Sequence, residues 1–277
     1  MNKYISAIVL FSVLIITACT EDTPFVPESD LVVVRAYLYA NEPVTEIQLA
    51  STVGLGSEDS VGPPISDADV KLFKDGVTYQ LEPTPGREGY YHYPGTDLSV
   101  HAGDEFKIEV AYFGKLASAE SAVPPAPVGV EMTLDELVVQ EFTRRGGFGF
   151  GRRFMVEDTN AVRVTWLNED NSSYYVTLEN VESDPQAIES AFAFMRPNRI
   201  ISIPITGDEY LVSLISVTHY GQHKAKVYRV NQEYVDLYST RAQDSRDLNE
   251  PLTNVVNGLG VFTAFNSDSA FFDVVAE

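Results

Sequence analysis

Asp69-Val70-Lys71-Leu72-Phe73-Lys74-Asp75-Gly76-Val77-Thr78-Tyr79-Gln80-Leu81 is the stretch whose reading decides the fold. Two β-rich runs flank Lys74-Asp75-Gly76, and a glycine after an aspartate accepts the positive φ that a tight hairpin turn demands. Working outward, the same grammar repeats. Leu31 to Tyr39 is β-branched and aromatic, and Val44 to Leu49 alternates as a second strand. Gly89-Tyr90-Tyr91-His92-Tyr93 gives another, and Phe106 to Tyr112 alternates apolar with polar at period two, as a half-buried strand does. Ser51 to Pro64, rich in Gly, Ser, Asp and Pro, reads as a long loop. About seven short strands in roughly 90 residues with turn signals between them predict a β-sandwich.

Val123-Pro124-Pro125-Ala126-Pro127 stops the pattern, because clustered prolines remove backbone donors and hold an extended chain. Strands resume beyond it, at Val130 to Val139, Arg153 to Val156, Ile200 to Ile205 and Tyr210 to Val217. Ala161 to Trp166 and Tyr174 to Leu178, around Asn168-Glu169-Asp170-Asn171, read as a hairpin, with the single tryptophan, Trp166, in the core. Two short helices are expected. One starts at Asp184-Pro185 with Ile188, Ala191, Phe192 and Met195 on one face. The other is capped by Asn231 with Tyr234, Leu237, Tyr238 and Arg241 at helical spacing. Asn257-Gly258-Leu259-Gly260-Val261-Phe262 then leads into a final strand. The expected fold is mainly β: two tandem β-sandwich domains of immunoglobulin or fibronectin-III type, residues 31–123 and 129–277, joined by a Pro-rich segment at 124–128, with one or two short helices in the second.

The N-terminus bears on location. Lys3, an apolar run from Ile5 to Ile16 and the small residues before Cys19 make a secretory signal, too short and wrongly flanked to span a membrane. Ile16-Thr17-Ala18-Cys19 resembles a bacterial lipobox, in which residues 1–18 are removed and the cysteine is lipidated. Cys19 is the sole cysteine, so lipidation leaves none for a disulfide or a thiolate metal site. Residues 19–30, polar and carrying Pro24 and Pro27, read as a lipidated tether. Thr20-Glu21-Asp22 resembles the acidic export signal of surface lipoproteins in the Bacteroidota. That points to an outer-membrane protein on the cell surface, with the periplasmic face as the alternative.

Composition excludes one class of partner. Nineteen Lys and Arg against forty Asp and Glu give a formal charge of −21, which repels nucleic acid. No Gly-x-Ser-x-Gly elbow, His-Glu-x-x-His or phosphate-binding Gly-x-x-x-x-Gly-Lys-Ser/Thr occurs, so no enzyme, cofactor or metal is expected. His219 and His223 are four apart, but Gly221 between them and the β-rich run before them favour a surface turn over a metal-binding helix. The oddest segment is Arg144-Arg145-Gly146-Gly147-Phe148-Gly149-Phe150-Gly151-Arg152-Arg153, expected at the tip of a hairpin between Leu137-Val138-Val139 and Phe154-Met155-Val156. Arg144, Arg145, Phe148, Phe150, Arg152 and Arg153 are of the types enriched where proteins dock. They suit an acidic face on a partner, or lipid phosphate near the tether.

The chain resembles the Bacteroidota lipoprotein family known as domain of unknown function 4249. The likeness lies in the lipobox, Leu31 to Leu38, Pro64-Ile65-Ser66-Asp67-Ala68-Asp69-Val70-Lys71-Leu72, Gly89-Tyr90-Tyr91, Ala102-Gly103-Asp104-Glu105-Phe106-Lys107-Ile108, the 123–127 joint and Asn254 to Phe262. The resemblance implies an accessory lipoprotein beside a TonB-dependent outer-membrane receptor, serving nutrient or metal uptake, and it carries no catalytic residues. Asp59-Ser60-Val61 and Asp268-Ser269-Ala270 resemble O-glycosylation acceptors of that phylum. A stand-alone glycan- or small-ligand-binding surface module, drawing on fifteen Tyr and fifteen Phe, is the alternative reading, and a hydrolase the weakest of the three.

Overall fold

The computed structural model describes residues 31–53, 62–139, 162–188, 200–213, 217–241 and 253–277. The first unit is built from β1 (Val32–Tyr39), β2 (Glu46–Ser51), β3 (Asp69–Lys74), β4 (Val77–Pro83), β5 (Tyr90–His92), β6 (Glu105–Tyr112) and β7 (Lys115–Ala122). The second contains β8 (Val128–Met132), β9 (Glu136–Val139), β10 (Arg163–Leu167), β11 (Ser173–Asn180), β12 (Ile200–Ile201), β13 (Glu209–Leu211) and β14 (Gly221–Val230). The helix α1 (Gln232–Arg241) follows, and β15 (Leu259–Ala276) ends the chain.

The alternation in β1 sends Val32, Val34, Ala36 and Leu38 into the first core. Tyr37 and Tyr39 leave by the opposite face, as period two requires. The sheet order is β15-β1-β2-β5-β4-β3-β6-β7. Its two layers join where Glu82 and Pro83 at the end of β4 pair with β5. Val34, Ile47, Leu49, Leu72, Tyr91, Phe106, Ile108 and Phe262 fill the space between the layers. The free edge at β7 is closed by Val256, which exchanges two backbone hydrogen bonds with Ser118, at 2.8 and 3.1 Å. Closing an edge removes a row of unpaired donors and acceptors.

The Lys74-Asp75-Gly76 hairpin forms as the sequence predicts, with Asp75 and Gly76 at φ 51° and 77°. Lys74 reaches from it to the half-buried Asp104 and to Ser99 O at 2.9 Å. Burial pushes the pKa of Asp104 up, but Lys74 and the His101 N–H more than offset it, and the carboxyl is held below its ordinary value.

In the second unit two sheets face each other, β12-β11-β14-β15-β9 and β13-β10-β8. Between them lie Val164, Trp166, Tyr174, Val176, Val227, Phe272 and Val274, with Trp166 and Tyr174 rings 5.3 Å apart. The mainly-β sandwich class expected from the sequence is what the chain adopts.

Several local expectations are corrected. Residues 161–166 and 174–178 do not form a hairpin. β10 pairs with β8 and β13, whereas β11 pairs with β12 and β14. The turn between them is an arch from one layer to the other, held by Asn168, whose amide donates to Ser172 O and Thr206 O. Trp166 and Tyr174 therefore meet across the core rather than along one sheet. Val130 to Val139 is two strands, β8 and β9, in opposite layers. No helix starts at Asp184-Pro185: Ala187 makes a β-bridge with His219, and Ile188 donates to Thr218 O at 2.9 Å. Ala191, Phe192, Met195 and residues 153–156 lie outside the described residues. The second helix forms as α1. Asn231, just before it, donates its side-chain amide to Ala122 O at 2.7 Å.

The linear division into 31–123 and 129–277 also needs correction. β15 pairs in parallel with β1 from Val33↔Leu259 to Tyr39↔Phe265, then antiparallel with β14 from Arg229↔Asn266 to Gly221↔Val274. One strand thus belongs to both cores, and Val255, Phe262 and Ala264 pack in the first. The physical reason is at Gly260. It sits at φ 103°, and a Cβ there would lie 2.0 Å from Val34 O, so only glycine lets the last strand lie against β1.

Gly260→Ala is expected to cost about 3 kcal/mol or more in urea unfolding, because a backbone clash adds to a forbidden φ. Gly103→Ala, at φ 86° with open space around its Cβ, is expected to cost about 1 kcal/mol. Equal costs would remove the close-approach explanation.

Candidate functional site

The outward face of β1 starts the second feature of the molecule. Tyr37 and Tyr39 meet Phe265 of β15, Tyr175 of β11, Tyr228 of β14, and Tyr234 and Tyr238 of α1. Tyr175 and Tyr228 stack at 4.5 Å, and Phe265 meets Tyr234 edge-on at 4.9 Å. Each such pair contributes about 0.5–1.5 kcal/mol beyond area burial. Lys226 of β14 adds an ion pair to Glu42 at 2.7 Å. Burial lowers the proton affinity of Lys226, but the Glu42 carboxylate and Tyr228 hydroxyl outweigh it, so its pKa is raised. The hub therefore fastens the two units to each other. Burial, and then the neighbouring phenols, push the Tyr175 and Tyr234 hydroxyls far above their ordinary value.

The Pro-rich joint runs along the edge of this hub. Asn266 donates to Pro124 O at 2.9 Å, and Asn231 to Ala122 O. An open groove of about 420 Å³ lies beside it, lined by Pro124, Pro125, Asn171, Ser172, Arg229 and Asn231. On its wall Arg229 binds Asp170 and Ser172, and Asn231 donates to Ala122 O and to Ser121 Oγ at 3.1 Å. The arrangement is that of a stitched seam, and no nucleophile and base converge on it.

Cys19 and the six contact residues Arg144, Arg145, Phe148, Phe150, Arg152 and Arg153 lie outside the described residues. The roots of the Arg-Gly-Phe segment are described, however. Val139 and Val162 are both buried in the second core. β9 pairs in parallel with the last residues of β15, and β10 belongs to the opposite sheet. Val139 thus ends in one layer and Arg163 begins in the other, and the expected hairpin partner, residues 154–156, lies outside the described residues. Val139, the residue before the segment, pairs with Ala276 at the C-terminal end of β15. Leu31, from which the chain runs back toward Cys19, stands at the other end, where Val33 pairs with Leu259.

The family-like motifs prove structural. Tyr91 OH accepts from Ala68 N at 2.9 Å, and Gly89 N donates to Ser66 Oγ at 2.8 Å, so Gly89-Tyr90-Tyr91 locks onto the 64–72 motif. Asn254 both donates to and accepts from the Phe262 backbone, fixing the turn before β15. His223 is not in a surface turn. It is buried on β14, stacked on Phe272 at 5.3 Å with Nδ1 against Gly221 O. Burial holds its pKa below the ordinary value. No metal-binding cluster of His, Cys, Asp or Glu occurs among the described residues. Of the acceptor-like triplets, Asp268-Ser269-Ala270 lies within β15, and Asp59-Ser60-Val61 outside the described residues. The aromatic hub was missed by sequence reading, although the outward Tyr37-x-Tyr39 pair and the Tyr234 and Tyr238 spacing were visible.

The family profile described as "Domain of unknown function (DUF4249)" matches residues 20–270, and the chain belongs to that family. No curated protein matches it. Among solved structures, the FN1–FN3 domains of chicken CNTN1 are similar at 11% identity and a TM-score of 0.22, covering 89% of this chain and 65% of that one. Titin domains A168–A170 follow at 12% identity and a TM-score of 0.19, covering 73% and 61%. The chain thus spans under two thirds of the length of either.

Stability is expected to fall as pH rises above the ordinary tyrosine value of 10.0, because the unfolded phenols ionise there while the buried ones stay protonated. Below that pH the contribution is fully present. Tyr175→Phe and Tyr234→Phe should each flatten the alkaline decline in urea midpoints; a decline unchanged in both would count against the buried hub.

Proposed function

We propose that this DUF4249 member is a non-enzymatic lipoprotein, held at the outer membrane by acyl chains on Cys19, that acts as an accessory or binding subunit of a TonB-dependent receptor. The observation that supports the reading is where two flanking residues, Leu31 and Val139, fall along one strand. The chain leaves toward Cys19 from the Leu259 end of β15, and the Arg-Gly-Phe segment is rooted at the Ala276 end. An extended strand of that length spans roughly 55 Å. A contact made near Val139, at the end away from Leu31, suits a partner's acidic face better than lipid phosphate near the tether.

Two further observations support it. The family motifs are engaged in turns, close backbone approach and core packing, which leaves none of their side chains assembled for bond making. The aromatics that a free-standing glycan module would expose on a concave face are, around β1, β11 and β14, packed on one another beneath α1. The net charge of −21 keeps such a body in water and away from anionic surfaces, so membrane residence rests on the acyl chains at about 0.8 kcal/mol per buried methylene.

Deletion of Arg144 to Arg153 should reduce recovery of the receptor from detergent-solubilised outer membranes to background, with the lipoprotein still in the membrane fraction; undiminished recovery removes the segment as the contact. Cys19→Ala should abolish acyl labelling and move the protein to the soluble fraction, and continued sedimentation with the membrane would overturn the anchor.

A further inference from the structure

The two tight hairpins of the first unit have the same turn and different residues in it. Between Lys74 and Val77 stand Asp75 and Gly76 at φ 51° and 77°; between Tyr112 and Lys115 stand Phe113 and Gly114 at φ 45° and 76°. Asp and Asn tolerate the first of these positions, and a bulky aromatic does not. Phe113 is also 80% exposed, so the unfavourable conformation is not offset by burial within the chain. Its ring contact among the described residues is Tyr112, its own neighbour, at 4.4 Å. Strain maintained at an exposed aromatic is a mark of a contact made outside the fold.

The position of the tip says what that contact is. β7 runs away from Phe113, with Lys115, Leu116 and Ala117 as its first residues. A Cβ on Gly258 would lie 3.1 Å from Ala117 Cβ and 3.0 Å from Val32 O, and Asn257 donates to Leu116 O. Leu31, next to Val32, accepts from Thr52 N at 3.1 Å. The tip and the point where the chain leaves toward Cys19 are therefore at the same end of the unit, and the Asp75-Gly76 turn is at the other. Leu116 and Val256, 49% and 60% exposed, stand beside the tip, and Lys115 is the only charged residue in 112–116. Residues 19–30 reach at most about 40 Å, which keeps this end within reach of whatever surface holds Cys19.

We propose that the Phe113 hairpin tip seats in the headgroup and acyl boundary of the bilayer that holds the anchor, with Leu116 and Val256 against the surface. An aromatic ring, short apolar side chains and a snorkelling lysine are the chemistry of that boundary. A second contact besides the lipid also fixes how the body stands, with the 140–161 roots turned away from the membrane. The inference rests on the anchoring proposed above.

Phe113→Trp in the full-length lipidated protein, reconstituted in phosphatidylethanolamine and phosphatidylcholine vesicles with and without brominated acyl chains, tests it. Trp166, buried in the second core, is the internal control in the unsubstituted protein. The tip seats in the bilayer if emission from the indole placed at position 113 shifts to the blue and brominated chains quench most of it while Trp166 is unaffected. Co-flotation with vesicles but a water-like, unquenched indole at 113 overturns the tip contact and leaves the anchor standing; so does protection that appears only when solubilised outer-membrane proteins are added. Failure to float overturns the anchor, and the tip with it. Leu116→Trp, on regular strand, carries the same readout if position 113 rejects an indole.

Discussion

The structure depends on the seating of one strand. β15 is the eighteen-residue strand from Leu259 to Ala276, and it completes both cores. Phe262 and Ala264 fill the first and Phe272 and Val274 the second, and Phe265 between them anchors the aromatic hub. Residues 261–266 are buried throughout, the signature of a strand covered on both faces. It can lie there because position 260 has no Cβ to meet Val34 O. β15 therefore closes a sheet begun by β1, and folding of the first unit waits on that long-range pairing.

What the sequence made legible was local. Alternation gave β2 and β6, β-branched and aromatic composition gave β1, Asp75-Gly76 between two β-rich runs gave β3 and β4 with their turn, and Asn231 with the Tyr234 and Tyr238 spacing gave α1. What it hid was pairing. Residues 161–178 read as a hairpin because two alternating runs flank a polar turn, yet an arch between layers has the same local pattern and differs only in which partners β10 and β11 find. Asp184-Pro185 carried helix-start chemistry that the bridge of Ala187 to His219 overrode. The Pro-rich joint looked like a boundary because prolines end strands. Nothing local announces that the chain returns across it.

The sites divide in the same way. The lipobox-like Ile16-Thr17-Ala18-Cys19 is a short linear resemblance, legible without any fold. The Arg-Gly-Phe segment was legible as a composition anomaly, but the place of Val139 before it was not, because that follows from β9 and β15 running in parallel. The hub was illegible because it gathers single aromatics from β1, β11, β14, β15 and α1. Its role is mechanical: with the Glu42–Lys226 ion pair and the Asn231 and Asn266 stitches on the joint, it resists rotation of one sandwich against the other. A body stiff along its length docks at a lower ordering cost than a hinged one.

The measurement that tests this account most directly is native-state hydrogen exchange resolved by residue. If one strand and one hub make a single cooperative body, the slowest amides of β1, β11 and both halves of β15 exchange with one common opening free energy that tracks global unfolding in urea. Two separate opening energies, with β1 and the 259–265 half of β15 exchanging independently of β11, β14 and the 266–276 half, would contradict it.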